Sequence, residues 1–232
     1  MIKLLDNILL SENVCEKFNN EYDKNLEFRN WVLSLLPELE DCKKLNQDNP
    51  WHIYSVLNHI LHAIEEMNKQ TKNLDYNTRR MLAYTMFFHD IGKPECRIRR
   101  YSKLYKKEID SFFNHNLASK KIAHRVLLDL DFCKKETEII EKLIEDHDIF
   151  MFITLKEDGN KFHNVLTKDY LKSIIKDLNK IDNGEKLMKY LIMVGRADNK
   201  SQNPKMTKDA LKLLDVMDEM LNNLNNVKEL EY

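Results

Sequence analysis

The length, composition and charge of the chain exclude several classes of protein. Its 232 residues are 43% hydrophobic and 32% charged, which is typical of a globular chain with its own core and not of a disordered one. Because the formal net charge is only −1, wholesale coating of nucleic acid is not implied, although a local basic patch stays open. No apolar run approaches the ~20 residues that span a bilayer, so we expect no membrane partner.

The cysteines and the N-terminal segment indicate where the protein works. The four cysteines lie far apart and form no Cys-x-x-Cys pair, which in a chain of this size predicts reduced thiols and no disulfide framework. Segment 1–10 carries Lys3 and Asp6 among its apolar residues and has no small-residue cleavage site, so it is not typical of a signal peptide. We therefore expect a cytoplasmic protein.

Helices are predicted along most of the chain. Only four glycines and four prolines occur, and apolar residues recur on one helix face in segments such as 139–147, 187–198 and 211–224. The predicted helices, in chain order, lie near 2–10, 11–20, 24–36, 52–69, 78–89, 115–130, 135–147, 167–179, 185–199 and 207–225, with Thr78, Thr167 and Thr207 as N-caps. Two segments look irregular: 91–113, which is basic and partly alternating, and 150–166.

A His-Asp pair stands at the end of the apolar segment 81–88. His89 and Asp90 are followed directly by Ile91, Gly92, Lys93 and Pro94. A helix would fix the two side chains, and the glycine lets backbone or a phosphate approach closely. Since neighbouring residues on a helix point about 100° apart, further ligands of one metal ion must come from other helices.

Four more residues have the pattern of buried ligands. His59 lies in the middle of a predicted helix, His115 follows Phe113 and Asn114 at a helix start, and His147 and Asp198 continue apolar helix faces. Burial of imidazole or carboxylate is costly unless the group is paired or bound to a metal. The sequence thus indicates a metal site built from His59, His89, Asp90, His115, His147 and Asp198.

Simpler interpretations stay open for several of these residues. A His-Asp pair alone is more typical of a helix-end hydrogen bond, and a histidine at a helix start often caps the helix. His147 lies between Asp146 and Asp148 and could form an ordinary surface pair. His62 is three residues after His59 on the same face and could exchange roles with it as a ligand.

The order of these residues resembles the HD superfamily of metal-dependent phosphohydrolases. The string 89–94 matches the H-D-[IL]-G-K-x segment of that family, and 143–147 resembles its L-I-x-x-H element. Arg196-Ala197-Asp198, with Gln202-Asn203-Pro204 after it, resembles the ending of HD domains in bacterial tRNA nucleotidyltransferases. The resemblance covers roughly 50–205. No nucleotidyltransferase head precedes it, so nucleotide addition to tRNA is not implied.

The resemblance implies a fold and a domain organisation. The expected fold is all-α, an HD-domain helical bundle with a short irregular or hairpin-like insertion after the HD motif. Outside the part that the resemblance covers, residues 1–50 are expected to form an N-terminal helical extension packed on the main body, although this extension and the C-terminal helix could instead form a dimer surface. Residues 51–205 form the metal-binding domain, and 206–232 add a C-terminal helix to the same body.

The resemblance also implies a reaction, the hydrolysis of a phosphate mono- or diester of a nucleotide or another small phosphate ester. One divalent ion would be held by His59, His89, Asp90 and Asp198, and a second by His115 and His147 with Asp90 as bridge. Such ligands suit Mn, Fe, Ni, Co or Zn, and Mg less well, and the ion would activate water as hydroxide. Asp90 and Lys93 are the expected catalytic residues, and Lys93, Arg97 and Arg196 the expected contacts to substrate.

Two other functions remain as alternatives. Some HD-like di-iron proteins perform oxygenation with the same motif residues, so a di-iron oxygenase is one of them. The other is a non-catalytic nucleotide-binding regulatory module, although a pure binder has no need of six ligands. The basic, tyrosine-containing segment 97–107 could hold a nucleotide or an oligonucleotide backbone. The sequence sets no oligomeric state.

Overall fold

Helices dominate the computed structural model, which describes residues 1–228 and the side chains of 1–224. The helices are α1 (Ile2–Leu9), α2 (Val14–Lys24), α3 (Leu26–Leu35), α4 (Leu39–Lys44), α5 (Val56–Thr71), α6 (Tyr76–Phe88), α7 (His115–Leu127), α8 (Lys134–Asp146), α9 (Lys168–Leu178), α10 (Gly184–Lys200) and α11 (Lys208–Lys228). Short 3-10 helices cover Leu128–Leu130 and Ile149–Phe152. The predicted all-α fold is confirmed. Within the described residues, no helix is both long and apolar enough to cross a bilayer.

The predicted helices differ from the observed ones mainly at their ends and at α4. The sequence predicted no helix between 36 and 52, yet α4 forms there because Leu39 and Cys42, three residues apart, both turn into the core. The N-cap of α6 is Asp75 and not Thr78, since the Asp75 carboxylate accepts a hydrogen bond from the Thr78 amide. The N-cap predicted at Thr167 is confirmed.

Helices α5 and α6 form the centre of the molecule. Helix α5 packs against α2, α4, α6 and α10, and α6 also contacts α1, α7, α8 and α10. All residues of α6 from Arg80 to Phe88 are buried. A helix that is apolar on every side belongs inside a protein, so α6 runs through the core and delivers the residues after it to the interior.

A buried ion pair joins α1 to this centre. The Arg80 side chain donates to the carboxylate of Asp6 at 2.9 Å and to the Leu130 carbonyl at 2.6 Å. The Tyr84 hydroxyl also donates to Asp6, at 2.8 Å. A buried charge needs such partners, so these contacts fix α1 against α6. At the other end of the chain, residues 229–232 of the predicted C-terminal helix lie outside the described residues.

The predicted insertion after the His-Asp pair is an antiparallel hairpin. Strands β1 (Arg97–Ser102) and β2 (Lys107–Phe112) pair with Arg97 opposite Phe112. The buried Asp110 carboxylate accepts hydrogen bonds from Arg97 and Arg99 and from the backbone amide of Asp48. These bonds anchor the hairpin to the segment before α5. The other irregular segment, 150–166, begins within the 3-10 helix Ile149–Phe152 and continues with the two-residue parallel pair β3 (Ile153–Thr154) and β4 (Asn164–Val165).

Gly92 is the point where the turn after the His-Asp pair passes against α7. A Cβ atom there would lie 2.6 Å from the Ala118 Cβ and from the Ser119 amide nitrogen, and 2.8 Å from the His115 carbonyl oxygen. The Gly92 amide also donates to the Ser119 hydroxyl at 2.9 Å. Only glycine fits this approach.

We expect Gly92→Ala to lower the free energy of unfolding by about 3 kcal/mol, because two of the three contacts are with backbone that cannot move aside. Urea denaturation measures the loss. Gly159→Ala is the control: its Cβ would meet nothing within 4 Å, and only the strain of its positive φ remains, about 1 kcal/mol. Equal losses in the two variants would contradict the close approach at Gly92.

Candidate metal centre

The six predicted ligands converge from five helices. His59 comes from α5, His89 and Asp90 from the end of α6, and Asp198 from α10. His115 is the first residue of α7 and His147 directly follows α8. All six side chains are buried, and they form two groups. Within each group, the donor atoms all lie within 4.8 Å of one another. The first group is His59, His89, Asp90 and Asp198, and the second is Asp90, His115 and His147.

The first group consists of two imidazoles and two carboxylates. His59 Nε2 lies 3.0 Å from Asp90 Oδ2 and 3.0 Å from Asp198 Oδ1. His89 Nε2 lies 3.4 Å and 3.5 Å from the same two oxygens. Donors bound to one ion at 2.0–2.2 Å are about 3–3.5 Å apart, so these spacings fit a metal ion.

The second group uses the other oxygen of the same carboxylate. Asp90 Oδ1 lies 3.1 Å from His115 Nε2 and 3.7 Å from His147 Nε2. Asp90 is thus common to both groups, with Oδ2 facing the first and Oδ1 the second. A carboxylate in this position can bridge two cations.

Hydrogen bonds on the far side of each ring orient the four histidines. The Nδ1 atoms of His89, His115 and His147 lie 2.6–2.7 Å from the backbone carbonyl three residues earlier. His59 Nδ1 lies 3.1 Å from the hydroxyl of Ser201, which itself donates to the Asp198 carbonyl. A carbonyl can only accept, so Nδ1 of His89, His115 and His147 carries a proton, and Nε2 of each ring faces the donor groups.

The facing nitrogens need a positive charge between them. His59 Nε2 and His89 Nε2 are 3.3 Å apart, and His115 Nε2 and His147 Nε2 are 3.2 Å apart. Two lone pairs at such distances repel each other unless a proton or a metal ion lies between them. In addition, Asp90 Oδ2 is buried and accepts no well-directed hydrogen bond from any described residue. These donors therefore could hold a metal ion.

The ionisation of the donors follows from their mutual contacts. Burial acts to raise the pKa of Asp198, but hydrogen bonds from His59 and His89 outweigh it and hold that pKa well below its usual range. Burial likewise opposes ionisation of Asp90, and the charge of Lys93 leads the effects that hold its pKa well below the usual range. Both carboxylates are therefore anionic at neutral pH.

Protons compete with a metal ion for the histidines. Burial alone lowers the pKa of His147, but the charges of Asp148 and Asp90 reverse this and raise it to about 9. For His59, the hydrogen bonds to Asp198 and Asp90 likewise outweigh burial and raise the pKa. Without an ion, these two rings hold the protons that balance the carboxylates.

Lys93 is buried at the edge of the first donor group. Its Nζ lies 2.6 Å from Asp90 Oδ2, 3.0 Å from the side-chain amide oxygen Oε1 of Gln47 and 3.1 Å from His52 Nε2. Burial, followed by the charges of Lys93 and His59, holds the pKa of His52 well below its usual range, so the neutral ring accepts a hydrogen bond from the ammonium. Two hydrogen-bond acceptors, Gln47 and His52, thus hold the Lys93 ammonium in its ion pair with Asp90.

The two predicted arginine contacts are engaged elsewhere. Arg97 pairs with Asp110 in the hairpin at 2.9 Å. Arg196 lies two residues before Asp198 on α10, about 200° around the helix, and its guanidinium pairs with Asp215 and Asp218 of α11. The structure therefore brings Lys93 to the donor groups and does not bring Arg196 to them.

One acidic residue of the centre was missing from the predicted set. Asp148 Oδ2 lies 3.2 Å from His115 Nε2, and its Oδ1 lies 3.5 Å from His147 Nε2. The sequence placed Asp148 only as a surface partner of His147. The short turn after α8 brings it back to the second group, and no periodic pattern marks such a turn. The exchange of His59 with His62 does not occur, since His62 bonds Glu65 outside both groups.

Comparison with known proteins identifies no family for this chain. No protein-family model matches the chain, and no curated protein matches it either. The resemblance to the HD superfamily therefore rests on the residues and on the buried donor groups, which are compatible with an HD-type metal site.

We expect metal binding at pH 7 to release protons. With its pKa raised to about 9, His147 holds a proton at neutral pH that an incoming ion must displace, and His59 acts in the same direction. Asp90 and Asp198 are already ionised and release none. For the proton on His147, the apparent metal affinity should fall about tenfold for each pH unit as the pH drops below about 9.

Calorimetric titration with a divalent metal in two buffers of different ionisation enthalpy counts the released protons. His124→Gln, which changes an exposed histidine bonded to Glu141, should release the same number. A count of zero at pH 7 would show that the imidazoles are neutral before the ion arrives.

Proposed function

We propose that the chain is an HD-type metal-dependent phosphohydrolase that cleaves a phosphate mono- or diester of a nucleotide or another small phosphate ester. The observation that supports it most strongly is the shared carboxylate of Asp90, whose two oxygens face two separate groups of imidazole donors. Paired metal sites that share a ligand are suited to phosphoryl chemistry, because they can act on both the attacking and the leaving oxygen.

The proposed complement is two divalent ions. His59, His89 and Asp198 complete one site with Asp90, and His115 and His147 complete the other, with Asp148 as a further donor. Imidazole-rich donor sets suit Mn, Fe, Co, Ni or Zn better than Mg, which prefers oxygen ligands. Such ions supply Lewis acidity to a phosphoryl oxygen and acidify water.

The protein's own groups prepare the site for this chemistry. The Nδ1 hydrogen bonds fix the four rings before any ligand binds, so little reorganisation is needed. The side chains of Asp148 and Asp198 are 24% and 12% exposed, against 2% for Asp90. We therefore place the entrance for the phosphate ester on the side of Asp148 and Asp198.

Lys93 has the proposed role of balancing charge. Its ammonium offsets the Asp90 carboxylate at 2.6 Å and adds positive potential where a phosphate gains negative charge. Because Gln47 and His52 also hold it, the ammonium is already in position. Arg97 and Arg196 would have to leave Asp110, Asp215 and Asp218 to contact substrate, so we assign them no role in the reaction.

Metal content tests the two-ion proposal. Protein purified without chelator and loaded with Mn or Fe should hold about two ions per chain by elemental analysis, and His115→Ala should hold about one, since it breaks only the second group. His62→Ala is the matched control, a histidine of α5 outside both groups, and should keep two. One ion in the unaltered chain would remove the second site.

Activity tests the hydrolase proposal. Hydrolysis of p-nitrophenyl phosphate, of bis-p-nitrophenyl phosphate and of a nucleotide panel should depend on added metal. His89→Ala and Asp90→Ala should each lower kcat/KM by about 100-fold or more, because Lewis-acid catalysis contributes several kcal/mol. His163→Ala changes an exposed-loop histidine bonded to Asp158 and should leave the rate unchanged.

The rival functions give distinct results in the same experiment. Substrate-dependent dioxygen consumption by iron-loaded protein, with no phosphate release, would favour the di-iron oxygenase. Tight nucleotide binding without turnover under any metal would favour a regulatory module. Either outcome would overturn the hydrolase.

A further inference from the structure

The hairpin that follows the His-Asp pair concentrates positive charge on an exposed strand. Six basic side chains lie within 97–107, although the whole chain has a formal net charge of only −1. Strand β1 is exposed along its length except for the half-buried Ser102, whereas β2 packs inward through Ile109, Asp110 and Ser111. The positive charge therefore faces solvent on one projecting element of a nearly neutral protein.

Half of these cations lack a carboxylate partner. Those that form ion pairs with Asp48 or Asp110 are Arg97, Arg99 and Lys107. Those that pair with no carboxylate of the described part of the chain are Arg100, Lys103 and Lys106. Arg100 instead bonds the Ser111 hydroxyl at 2.5 Å and lies 5.4 Å from the centroid of the exposed Phe113 ring. Exposed cations without counter-charges attract a polyanion.

An exposed tryptophan lies beside the turn of the same hairpin. The rings of Trp51 and Tyr105 are perpendicular, with centroids 5.9 Å apart, and Trp51 is still 39% exposed. A single edge-to-face contact covers at most one face of an indole, so the ring keeps surface that a planar group can reach. Lys106 directly follows Tyr105, which places an unpaired cation next to the aromatic pair.

Hydrogen bonds fix this tryptophan near the metal centre. The Trp51 amide donates to Asn49 Oδ1 at 3.1 Å, and the Trp51 carbonyl accepts from the Asn203 amide at 2.7 Å. Gln202, the residue before Asn203, donates to Asp198 Oδ2 at 2.9 Å. The loop of Trp51 is thus tied to the segment that bonds Asp198, although Trp51 belongs to neither group of metal donors.

We propose that the hairpin surface, made of Trp51, Arg100, Lys103, Tyr105 and Lys106, binds single-stranded nucleic acid. The three cations contact backbone phosphates, and one base stacks on the Trp51 ring. This binding goes beyond the proposed phosphohydrolase function and does not depend on it, since the surface contains none of the metal donors.

The chemistry of the hairpin surface favours this partner over other polyanions. Cations alone would attract an acidic peptide or inorganic polyphosphate as well, but neither has a planar face that stacks on an indole. In a duplex the bases are already stacked on one another, so it presents phosphates without a free base face. A single strand presents phosphates and free base faces together, and such stacking tolerates any base.

Fluorescence anisotropy of a labelled oligonucleotide tests the binding. The full chain is titrated into fluorescein-labelled oligo-dT of about 12 nucleotides, a length within the usual range of single-strand sites. EDTA prevents metal-dependent cleavage of the probe. The logarithm of the affinity should fall linearly with the logarithm of the NaCl concentration with a slope of about −2, since each of three phosphate contacts contributes about −0.7. A duplex and polyglutamate should each compete about tenfold more weakly than unlabelled oligo-dT, because they offer no base to stack.

Removal of two cations should change both the affinity and its salt dependence. Lys103→Gln combined with Lys106→Asn should weaken binding by about tenfold at about 50 mM NaCl and reduce the slope to about −0.7. Asparagine is used at 106 because the φ of that residue is 53°, in the left-handed region that asparagine tolerates. The matched control, Lys172→Gln with Lys176→Gln, removes the same charge from exposed positions of α9 and should change neither quantity.

Removal of the indole should change the affinity alone. Trp51→Ala should weaken binding by about fivefold or more because the stacked base is lost, while the slope stays near about −2 because no phosphate contact is lost. Trp51→Phe keeps an aromatic face and should recover most of the affinity. A loop that had merely lost its shape would lower the affinity and the slope together. Circular dichroism checks that every variant is folded.

The fluorescence of Trp51 reports stacking directly. The chain has two tryptophans, so Trp31→Phe leaves Trp51 as the sole emitter. Oligo-dT should quench this emission with the same midpoint as the anisotropy titration. Inorganic polyphosphate, which cannot stack, should leave the emission unchanged.

Four results would each overturn the proposal. They are no binding of oligo-dT at about 50 mM NaCl, competition by the duplex or by polyglutamate as strong as that by oligo-dT, equal losses in the lysine pair and its control, and unchanged Trp51 emission in the complex. Because EDTA is present and no phosphate release is measured, each of these results leaves the hydrolase proposal untouched.

Discussion

The buried carboxylate of Asp90 is the group on which the centre of this protein depends. A fully buried anion is costly, and it persists only where cations or donors surround it. Here Lys93 contacts one oxygen, and four imidazole nitrogens face the two oxygens from separate helices. Removing Asp90 would leave those groups without their common counter-charge, so the fold and the centre share one electrostatic requirement.

Helix ends give this centre its precision. His89 and His147 each follow the last residue of a helix, where the side-chain Nδ1 bonds the carbonyl of the turn just completed. Those carbonyls belong to the last turn of each helix, where the i to i+4 pattern ends, so the ring bonds a helix-end backbone group while it is oriented. His115 uses the same bond to Phe112 at the end of the hairpin. The hairpin, anchored through Asp110, is thus part of the support of the site.

The spacing of apolar residues along the sequence predicted most of the helices and the site residues that lie on or beside apolar helix faces. His147 and Asp198 continue apolar helix faces and His89 ends an apolar segment, and a polar residue in such a pattern indicates burial before any contact is known. Asp148, Ser201 and the acidic partners of Arg196 escaped prediction because their roles depend on turns and on how α10 packs against α5 and α11. Helix α4 escaped because a six-residue helix offers too little periodicity beside Pro37.

The pair His59 and His62 shows why spacing alone left the ligand open. Three residues on a helix span about 300°, so the two rings share a face but differ by about 60° in direction. That difference separates a ring that is 1% exposed among carboxylates from one that is 31% exposed beside Glu65. Helix α5 therefore carries a deep imidazole suited to a metal and a shallow one that bonds a glutamate of its own helix, because the depth of each ring decides which partner can reach it.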